Sequence, residues 1–592
     1  MSDNAELCFD YVIVGAGTAG SLLANRLSAN SNSRVLLIEA GGRDDYHWIH
    51  IPVGYLYCIG NPRTDWLFQT QSEPGLGGRS LRYPRGKVLG GCSSINGMIY
   101  MRGQSRDYEA WAQTTQDPAW SWQACLPYFK FTEDHHLGPT SLHGAKSTVE
   151  LEPLHSFSGT QSDAQERASS AYLQTLKLQN AGGEWRVERQ RLQWNVLEDF
   201  AQACEQAGIH KTPDFNTGNN FGVGYFEVNQ SKGMRWNTAK AFLRPTCYGR
   251  SNFEMWTHAH VAKLELSRES DGRLKCSAVD VLTSRGKIKV QCAREVILCA
   301  GAVATPQLLQ LSGIGDPNLL ARFGIEPHLN SPGVGANLQD HLQLRSIFKV
   351  QNAQTLNTLS RSWWGKVKMG LEYAMHRSGP LSMAPSQLGV FTKSDPSLEW
   401  PDLQYHVQPL SLGAFGEPLH DFDAMTASVC NLNPSSRGFI RLQSSDPKAP
   451  PLIAPNYLST EEDRAKAVRS IRLTRHLMQQ SAMAKYSPQE FLPGERHQSD
   501  AELETMAGQI GTTIFHPVGT ARMGEKGDPF AVLDSRLRVQ DHQRGDWVKG
   551  LRVVDASAMP SITSGNTNSP TLMMAEKAAH WIAQDHPQDF TH

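Results

Sequence analysis

The chain opens with a run that strongly restricts how its first forty residues can fold. Residues 9–14 are apolar and rich in β-branched side chains, Gly15, Gly17 and Gly20 follow, and a helical pattern covers 21–27. This order predicts a strand, a tight turn and a helix. Gly15 allows the turn, Gly17 lets the backbone approach a pyrophosphate, and Gly20 lets the helix pack closely on the strand.

A second strand, predicted at 34–38, ends in Glu39 and is followed by Ala40. An acid about 20 residues beyond such a turn is placed to bind the hydroxyl groups of a ribose. The free amides at the helix start, including those of Thr18 and Ala19, would face the phosphates with the helix dipole in support. Together these features favour a dinucleotide site over a purely structural turn, and NAD and FAD both fit.

The length and composition of the chain indicate its domain organisation and argue against several kinds of partner and site. The chain has 592 residues, which predicts two intertwined or consecutive domains. Lys and Arg number 57 against 58 Asp and Glu, with no basic tract, so no nucleic-acid partner is expected. The ten cysteines include no CxxC pair, which argues against a zinc site and a disulfide framework.

Neither a secretory signal nor an apolar run of about 18 residues is found in the sequence. We therefore expect a cytoplasmic protein, with docking to the periphery of the inner membrane left open. The oligomeric state is also left open by the sequence.

Four later stretches carry further signals. A glycine- and serine-rich run covers 83–103, where Gly90 and Gly91 suggest close approach to a large flat group. Residues 294–315 predict a buried strand, a small-residue turn and a helix opened by Thr305 and Pro306. Near the carboxyl end lie 514–524 and 551–570, followed by a helical pattern.

With the amino-terminal run, these stretches resemble the glucose-methanol-choline oxidoreductases, a family of FAD enzymes, in the family's order along nearly the whole chain. The resemblance implies an α/β fold, α+β overall. A Rossmann-like FAD-binding domain would be interleaved with a substrate domain built on an antiparallel sheet with helices. The expected FAD segments are 1–45, 75–135, 225–345 and 535–592, and the substrate segments are 46–74, 183–224 and 346–534.

The resemblance also assigns cofactor contacts. Gly15, Gly17, Gly20 and Glu39 would hold the ADP half, the Val261 backbone would meet adenine, and Asp555 and Ala556 would face the pyrophosphate and ribityl chain. Val88, Asn96 and Met98 match positions beside the isoalloxazine and ribityl groups. The remaining expected contacts are Thr18, Ala19, Ala40, Gly91 and Thr567.

His516 matches the family's catalytic histidine, and Asn566 matches its partner. Alcohol oxidation removes a hydroxyl proton and delivers a hydride to flavin N5. A histidine suits the first task near neutral pH, and an asparagine amide can donate to the developing alkoxide without titrating. We therefore expect oxidation of a primary alcohol to an aldehyde, with electrons passing to a quinone or similar carrier and oxygen left open as acceptor.

Two departures from the family narrow this expectation. Some members attach FAD through a histidine just after the Gly-Gly-x-Ser-Ser run, where this chain has Ile95, so non-covalent FAD is predicted. Choline-oxidising members carry a glutamate two residues after the histidine that matches His341, and Gln343 stands there instead. An uncharged aliphatic or aromatic alcohol is therefore favoured over choline.

Residues 136–182 form an extra segment relative to the family. A pattern resembling a capping box at 162–165 predicts a helix through Leu178, with Gly182 beyond its end. The helix could serve as a lid, a subunit contact or a tolerated surface excursion. Its narrow apolar face would consist of Ala168, Ala171, Tyr172 and Leu176.

Two further segments allow more than one interpretation. Asp134, His135, His136 and His143 could form a metal cluster, but a solvated loop is favoured and no metal is expected. Residues 361–373 mix tryptophans with lysines, as interfacial helices do; a substrate-domain helix with core aromatics is preferred. The alternative functions are choline dehydrogenase, a redox-neutral lyase or fatty-acid photodecarboxylase of the same family, and a non-catalytic FAD scaffold.

Overall fold

A computed structural model describes residues 7–152, 163–413 and 417–589. Two sheets organise it. The first has eight strands, and its central strands are parallel: Cys8–Val14 pairs with both Val35–Ile38 and Gly286–Leu298, and Val35–Ile38 pairs with Phe253–Trp256. The remaining strands of this sheet are His260–Arg268, Leu274–Thr283, Arg538–Asp541 and Asp546–Val553.

The second sheet has seven strands, all of them antiparallel. They are Gly222–Tyr225, Leu342–Lys349, Leu388–Thr392, Leu403–Gln408, Ala424–Asn431, Gln489–Leu492 and Gly511–Thr513. One sheet with a parallel centre and one antiparallel sheet confirm the predicted fold class. The domain boundaries themselves stay a prediction, and Leu342–Lys349 crosses the one placed at residue 345.

The longer helices cover the sheets. Those near the first sheet include Thr18–Leu27 and Asn568–Asp585, which pack on each other and are almost entirely buried. A buried ion pair between Arg26 Nε and Glu576 Oε1, at 2.8 Å, links the two helices. The other helices of eight or more residues are Ser105–Thr115, Trp122–Thr132, Asp163–Leu178, Asn195–Gln206, Gly301–Leu311, Trp363–His376, Glu461–Met478 and Asp500–Ile510.

The helix predicted to open at Thr305 in fact begins at Gly301, so Pro306 lies in its interior. A proline there cannot donate to the carbonyl four residues earlier. That carbonyl belongs to Ala302, and it accepts a hydrogen bond of 2.6 Å from Thr520 Oγ1 instead. A hydroxyl from a distant segment therefore bonds to this carbonyl. The sequence around Pro306 gave no sign of that partner.

Within the extra segment, the predicted helix spans Asp163–Leu178, and Ser162 of the expected capping box lies outside the described residues. Its buried face packs on helix Asn568–Asp585, where Ser169 Oγ lies 2.5 Å from His580 Nε2. Of the predicted apolar face, Ala168, Tyr172 and Leu176 are buried and Ala171 is partly buried. No described residue of 136–182 lines the cavity considered below, so the lid interpretation finds no support.

Two interpretations of polar and aromatic segments are wrong. His135 and His143 are buried, not solvated. Trp363 and Trp364, expected in a core, are 67% and 73% exposed.

Within residues 7–152, 163–413 and 417–589, no helix has both the length and the apolar character needed to cross a bilayer.

Candidate active site

A single long cavity contains most of the predicted site residues. Its walls include the ends of strands Cys8–Val14 and Val35–Ile38 from the first sheet and side chains of Leu342–Lys349 and Leu403–Gln408 from the second. The predicted nucleotide-binding turn and the predicted catalytic pair therefore open into the same space.

Close backbone contacts shape the nucleotide-binding part. Gly15 has φ +102°, and a Cβ there would lie 2.5 Å from the Cys299 carbonyl oxygen. A Cβ on Gly91 would lie 2.7 Å from Gly17 Cα, and one on Gly20 would lie 1.9 Å from the Gly15 carbonyl oxygen. Side chains at these positions would disrupt the turn or its packing. Gly15, Gly17 and Gly91 line the cavity, whereas Gly20 lies behind it.

Three helices begin at this cavity, at Thr18, Gly301 and Asn568. Their free N–H groups and dipoles favour an anion, as a pyrophosphate requires. Thr18 Oγ1 donates to Asn568 Oδ1 at 2.7 Å. The amide nitrogen Asn568 Nδ2 is buried and has no hydrogen-bond partner among the described residues. A donor of this kind beside three helix starts fits a phosphate-bearing cofactor.

The two cavity carboxylates, Glu39 and Asp555, are held by backbone donors. Glu39 Oε2 accepts from Ala16 N at 3.0 Å and Oε1 from Gly41 N at 2.8 Å. Burial raises the pKa of Glu39 to about 7 despite these bonds. Asp555 Oδ2 accepts from Gly301 N at 2.8 Å, and burial raises the pKa of Asp555 as well. Hydroxyl donors from a ribose would favour the charged form of Glu39.

All but one of the other predicted cofactor residues line the cavity. Val88 does not line the cavity but packs in a small apolar cluster with Ile49, Cys58 and Ile95. Ile95 itself reaches the cavity wall. Thr18, Ala19, Ala40, Asn96, Met98, Val261, Ala556 and Thr567 all line the cavity.

His516 and Asn566, fifty residues apart in sequence, are in direct contact in the cavity wall. Asn566 Nδ2 lies 3.1 Å from His516 Nε2. Gln404 Nε2 lies 3.5 Å from Asn566 Oδ1, which suits an amide whose nitrogen faces the histidine. The structure thus brings the predicted base and its predicted partner together.

A chain of hydrogen bonds fixes which nitrogen of His516 is basic. The Leu432 carbonyl can only accept, so His341 Nε2, 2.9 Å away, carries a proton. In the neutral ring His341 Nδ1 then accepts from His516 Nδ1–H across 3.0 Å. His516 Nε2 is therefore unprotonated and accepts from Asn566 Nδ2–H. Its lone pair points toward the cavity side of the ring, where Asn566 lies.

Asp340 braces the backbone of the same segment. Its Oδ1 accepts from His516 N at 2.8 Å, and its Oδ2 accepts from Thr513 Oγ1 at 2.6 Å and Tyr83 Oη at 3.0 Å. Tyr457 Oη also donates to this carboxylate. The intervening Phe515 adopts a positive φ of 71°, a conformation that L-residues rarely take without support. The carboxylate therefore holds an unfavourable turn that presents His516.

The electrostatic surroundings keep His516 neutral. Burial lowers its pKa well below the ordinary value, and the nearby His341, His406 and Arg85 lower it further. Burial also lowers the pKa of His341. A ring that stays unprotonated down to acidic pH is available to accept a proton.

Three polar residues of one strand at the site were not predicted from the sequence as a group. Gln404, His406 and Gln408 alternate along strand Leu403–Gln408, and His406 and Gln408 line the cavity near His516. His406 Nε2 is buried without a hydrogen-bond partner among the described residues, and burial lowers the pKa of His406 to about 3. Polar side chains at every second position of a buried strand were the available signal.

Two buried histidines outside the cavity, His135 and His143, lie among carboxylates. His143 donates to Glu133 Oε1 and Asp214 Oδ2 at 2.9 and 3.0 Å. Burial opposes the charged form, but these carboxylates raise the pKa of His143 to about 9. His135 and His136 both contact Glu227 Oε1. Hydrogen bonds to neighbouring carboxylates, rather than the predicted solvation, thus surround these side chains.

Comparison with known proteins identifies the family. Two models described as GMC oxidoreductase match residues 9–343 and 434–575. The chain is a GMC oxidoreductase. An oxygen-dependent choline dehydrogenase from Staphylococcus aureus strain MSSA476 is 36% identical over 582 residues, covering 98% of this chain and 94% of that protein.

Among solved structures, pyridoxine 4-oxidase from Mesorbium loti superposes with a TM-score of 0.81 and 28% identity, covering 97% of this chain and 99% of that one. A fungal aryl-alcohol oxidase has a TM-score of 0.76 at 24% identity, covering 98% and 99%, and at that identity supports the fold alone. GMC oxidoreductases bind FAD. The glycine turn, the three helix starts and Asn568 Nδ2 fit the phosphates of that cofactor.

Proposed function

We propose that this GMC oxidoreductase oxidises an uncharged primary alcohol, aliphatic or aromatic, to an aldehyde. The observation that carries the proposal is the His516–Asn566 pair. The ring has its basic nitrogen fixed at Nε2 and an amide donor 3.1 Å away, inside the cavity that also contains the nucleotide turn.

Each group has a defined task in this reaction. His516 Nε2 accepts the hydroxyl proton of the substrate, and Asn566 Nδ2–H donates to the oxygen as negative charge develops there. The bound FAD supplies an acceptor for the hydride that leaves the carbon. Because Asn566 Nδ2 and His516 Nε2 bond to each other at 3.1 Å, the substrate hydroxyl would replace this contact, with its proton toward Nε2 and its oxygen toward the amide. Their orientation is fixed before substrate arrives, which lowers the entropic cost of the reaction.

The charges that line the cavity favour an uncharged substrate. The only carboxylates lining the described cavity are Glu39 and Asp555, both bonded to backbone N–H groups in the nucleotide-binding region. The position that would face a trimethylammonium group holds the neutral amide of Gln343, which lines the cavity. A quaternary cation would lose its hydration without gaining an opposite charge. Tyr55, His406 and Gln408 add polar but uncharged surface.

Choline is the second candidate because of the 36% identity to a choline dehydrogenase over nearly the full chain. An overall identity of this size shows the family and does not by itself fix the substrate. The neutral Gln343 is the residue that favours the uncharged alcohol.

We further propose that the cofactor is held without a covalent bond and that electrons pass to a quinone or a similar carrier, with oxygen as the competing acceptor. Ile95 occupies the wall position at which a histidine would form the covalent link. An isoleucine has no atom that could form one.

An anaerobic alcohol panel tests the activity. The purified holoenzyme would be mixed in darkness with aliphatic alcohols, benzylic alcohols and choline, and the yellow flavin absorbance followed; reoxidation by oxygen and by a soluble quinone would then be compared. We expect bleaching by uncharged alcohols, and little in His516→Ala with its flavin still bound. Bleaching by choline alone would replace the substrate assignment, and no bleaching in darkness would favour a redox-neutral role.

A further inference from the structure

The helix Trp363–His376 exposes an unusual amount of apolar surface. Trp363 and Trp364 are 67% and 73% exposed, and Leu371 and Met375 are 55% and 68% exposed. Scattered single exposed apolar side chains need no explanation, but four on one 14-residue helix form a patch. The two indole rings are in edge contact, with centroids 5.0 Å apart.

Three of these side chains share one face of the helix with Val367, and Trp363 lies beside them. Trp364, Val367, Leu371 and Met375 follow one another at intervals of three or four residues, which aligns them along a helix. Met369 and Tyr373 are the buried residues of this helix and point to the opposite side. Tyr373 Oη donates to the Gly233 carbonyl at 3.1 Å. One face therefore anchors the helix to the protein, and the other is left apolar and outward.

The same helix and its ends are basic. Arg361, Lys366, Lys368 and Arg377 are all exposed, against one acid within the segment, Glu372. Arg361 is partly neutralised by Asp423 at 3.4 Å. No ion pair involves Lys366 or Lys368 among the described residues. Because the whole chain carries a net charge of −1, this local excess of positive charge is not a general property of the surface.

We propose that helix Trp363–His376 docks the enzyme on an anionic lipid bilayer, lying in the plane of the interface. Indole rings settle at the level of the lipid headgroups, and lysines beside an apolar stripe lay their methylene stems along it while their charges reach lipid phosphates. A second copy of this chain is a poorer occupant because it would bring a like-charged basic helix against this one.

The position of the helix relates docking to the cavity. The chain continues from His376 through Pro380–Ser382 to Pro385 and Ser386, which line the cavity near His406 and Gln408. The substrate wall is thus ten residues from the docking helix. A lipid-soluble quinone or a hydrophobic alcohol would then be delivered next to the site; that consequence, unlike the docking itself, rests on the proposed function.

Vesicle co-sedimentation of the FAD-loaded enzyme tests the docking. We expect binding to vesicles containing phosphatidylglycerol, weak binding to pure phosphatidylcholine, and release at high salt. The double variants Trp363→Ser/Trp364→Ser and Lys366→Glu/Lys368→Glu should each weaken binding roughly tenfold or more. Leu178→Ser, at another exposed apolar position (77% exposed), is the matched control and should bind as wild type.

Two results would overturn the proposal: equal binding of wild type and both double variants, or no binding of the wild type to either vesicle. Sedimentation velocity without lipid tests whether a second copy of the chain covers this face instead. A wild-type dimer that is lost in Trp363→Ser/Trp364→Ser would assign the face to a second copy. Alcohol oxidation in detergent-free solution should be unchanged in all these variants, so loss of vesicle binding and loss of the proposed activity are separate outcomes.

Discussion

His341 Nδ1 lies 3.0 Å from His516 Nδ1, and the two rings meet nearly at right angles, 81° apart. Since the opposite nitrogen of His341 donates to the Leu432 carbonyl, a backbone carbonyl of one segment determines which nitrogen of His516 is basic. His341 contacts neither the proposed path of the proton nor Asn566. We regard it as a positioning residue.

The first prediction concerns this relay. His341→Phe removes the acceptor for His516 Nδ1–H, so the ring can rotate or adopt the other tautomer. We expect kcat to fall on the order of a hundredfold with little change in bound flavin. His341→Asn, whose amide oxygen can accept the same proton, should recover part of the loss. Stopped-flow rates of flavin bleaching measure this, and equal rates in both variants would contradict the relay.

Asn566 gives a second prediction. Asn566→Leu keeps the approximate volume but removes the donor to the developing alkoxide, so the rate of substrate oxidation should fall roughly 10²- to 10³-fold. Asn566→His retains a donor and should lose less. The measurement is kcat/KM on the best alcohol of the panel. A change confined to KM would mean that Asn566 only binds substrate.

The pH dependence follows from the lowered pKa of His516. Protonation blocks the base, and the surroundings oppose protonation until the pH is well below 6.5. The rate of flavin bleaching should therefore stay on its plateau as the pH falls through 6.5 and decline only in more acidic buffer; raising the pH adds no further neutral His516. A half-maximal rate at or above pH 6.5 would show that substrate or cofactor binding reverses the effect of burial.

Substrate charge gives a fourth prediction, at Gln343. Choline and 3,3-dimethyl-1-butanol have nearly the same shape and differ by one positive charge. Gln343→Glu should raise the ratio of kcat/KM for choline over the neutral alcohol by roughly tenfold or more, because a buried carboxylate gains a partner only from the cation. Gln343→Met, which changes the amide without adding charge, is the control and should leave the ratio unfavourable to choline.

The last prediction concerns cofactor attachment. Acid precipitation of the purified enzyme should release the yellow cofactor into the supernatant, since Ile95 offers no linking atom. Absorbance of the supernatant and the pellet measures the partition. Yellow colour retained in the denatured pellet would indicate a covalent link elsewhere in the chain.

Local signals in the sequence predicted a dinucleotide site, and the resemblance along nearly the whole chain then predicted FAD and the fold class. Gly15 and Gly20 cannot be replaced without a clash, because a Cβ there would lie 2.5 Å from the Cys299 carbonyl oxygen and 1.9 Å from the Gly15 carbonyl oxygen. The roles of His516 and Asn566 stay predictions, although their contact at 3.1 Å is the arrangement those roles require.

What the sequence could not supply depends on distant partners. His341 joins the site through a hydrogen bond to a ring 175 positions away, and His143 is buried because Glu133 and Asp214 surround it. Neither relation leaves a periodic signal. Trp363 was misplaced for a different reason: the helix has apolar residues on two faces, and periodicity alone does not say which face meets the protein.

Thr520 Oγ1, which satisfies the Ala302 carbonyl left without a donor by Pro306, lies four residues beyond His516. The helix that begins at Gly301 is one of the three that start at the nucleotide-binding part of the cavity. Replacing Thr520 by valine would therefore remove a direct bond between the segment that presents His516 and the helix of the proposed phosphate site.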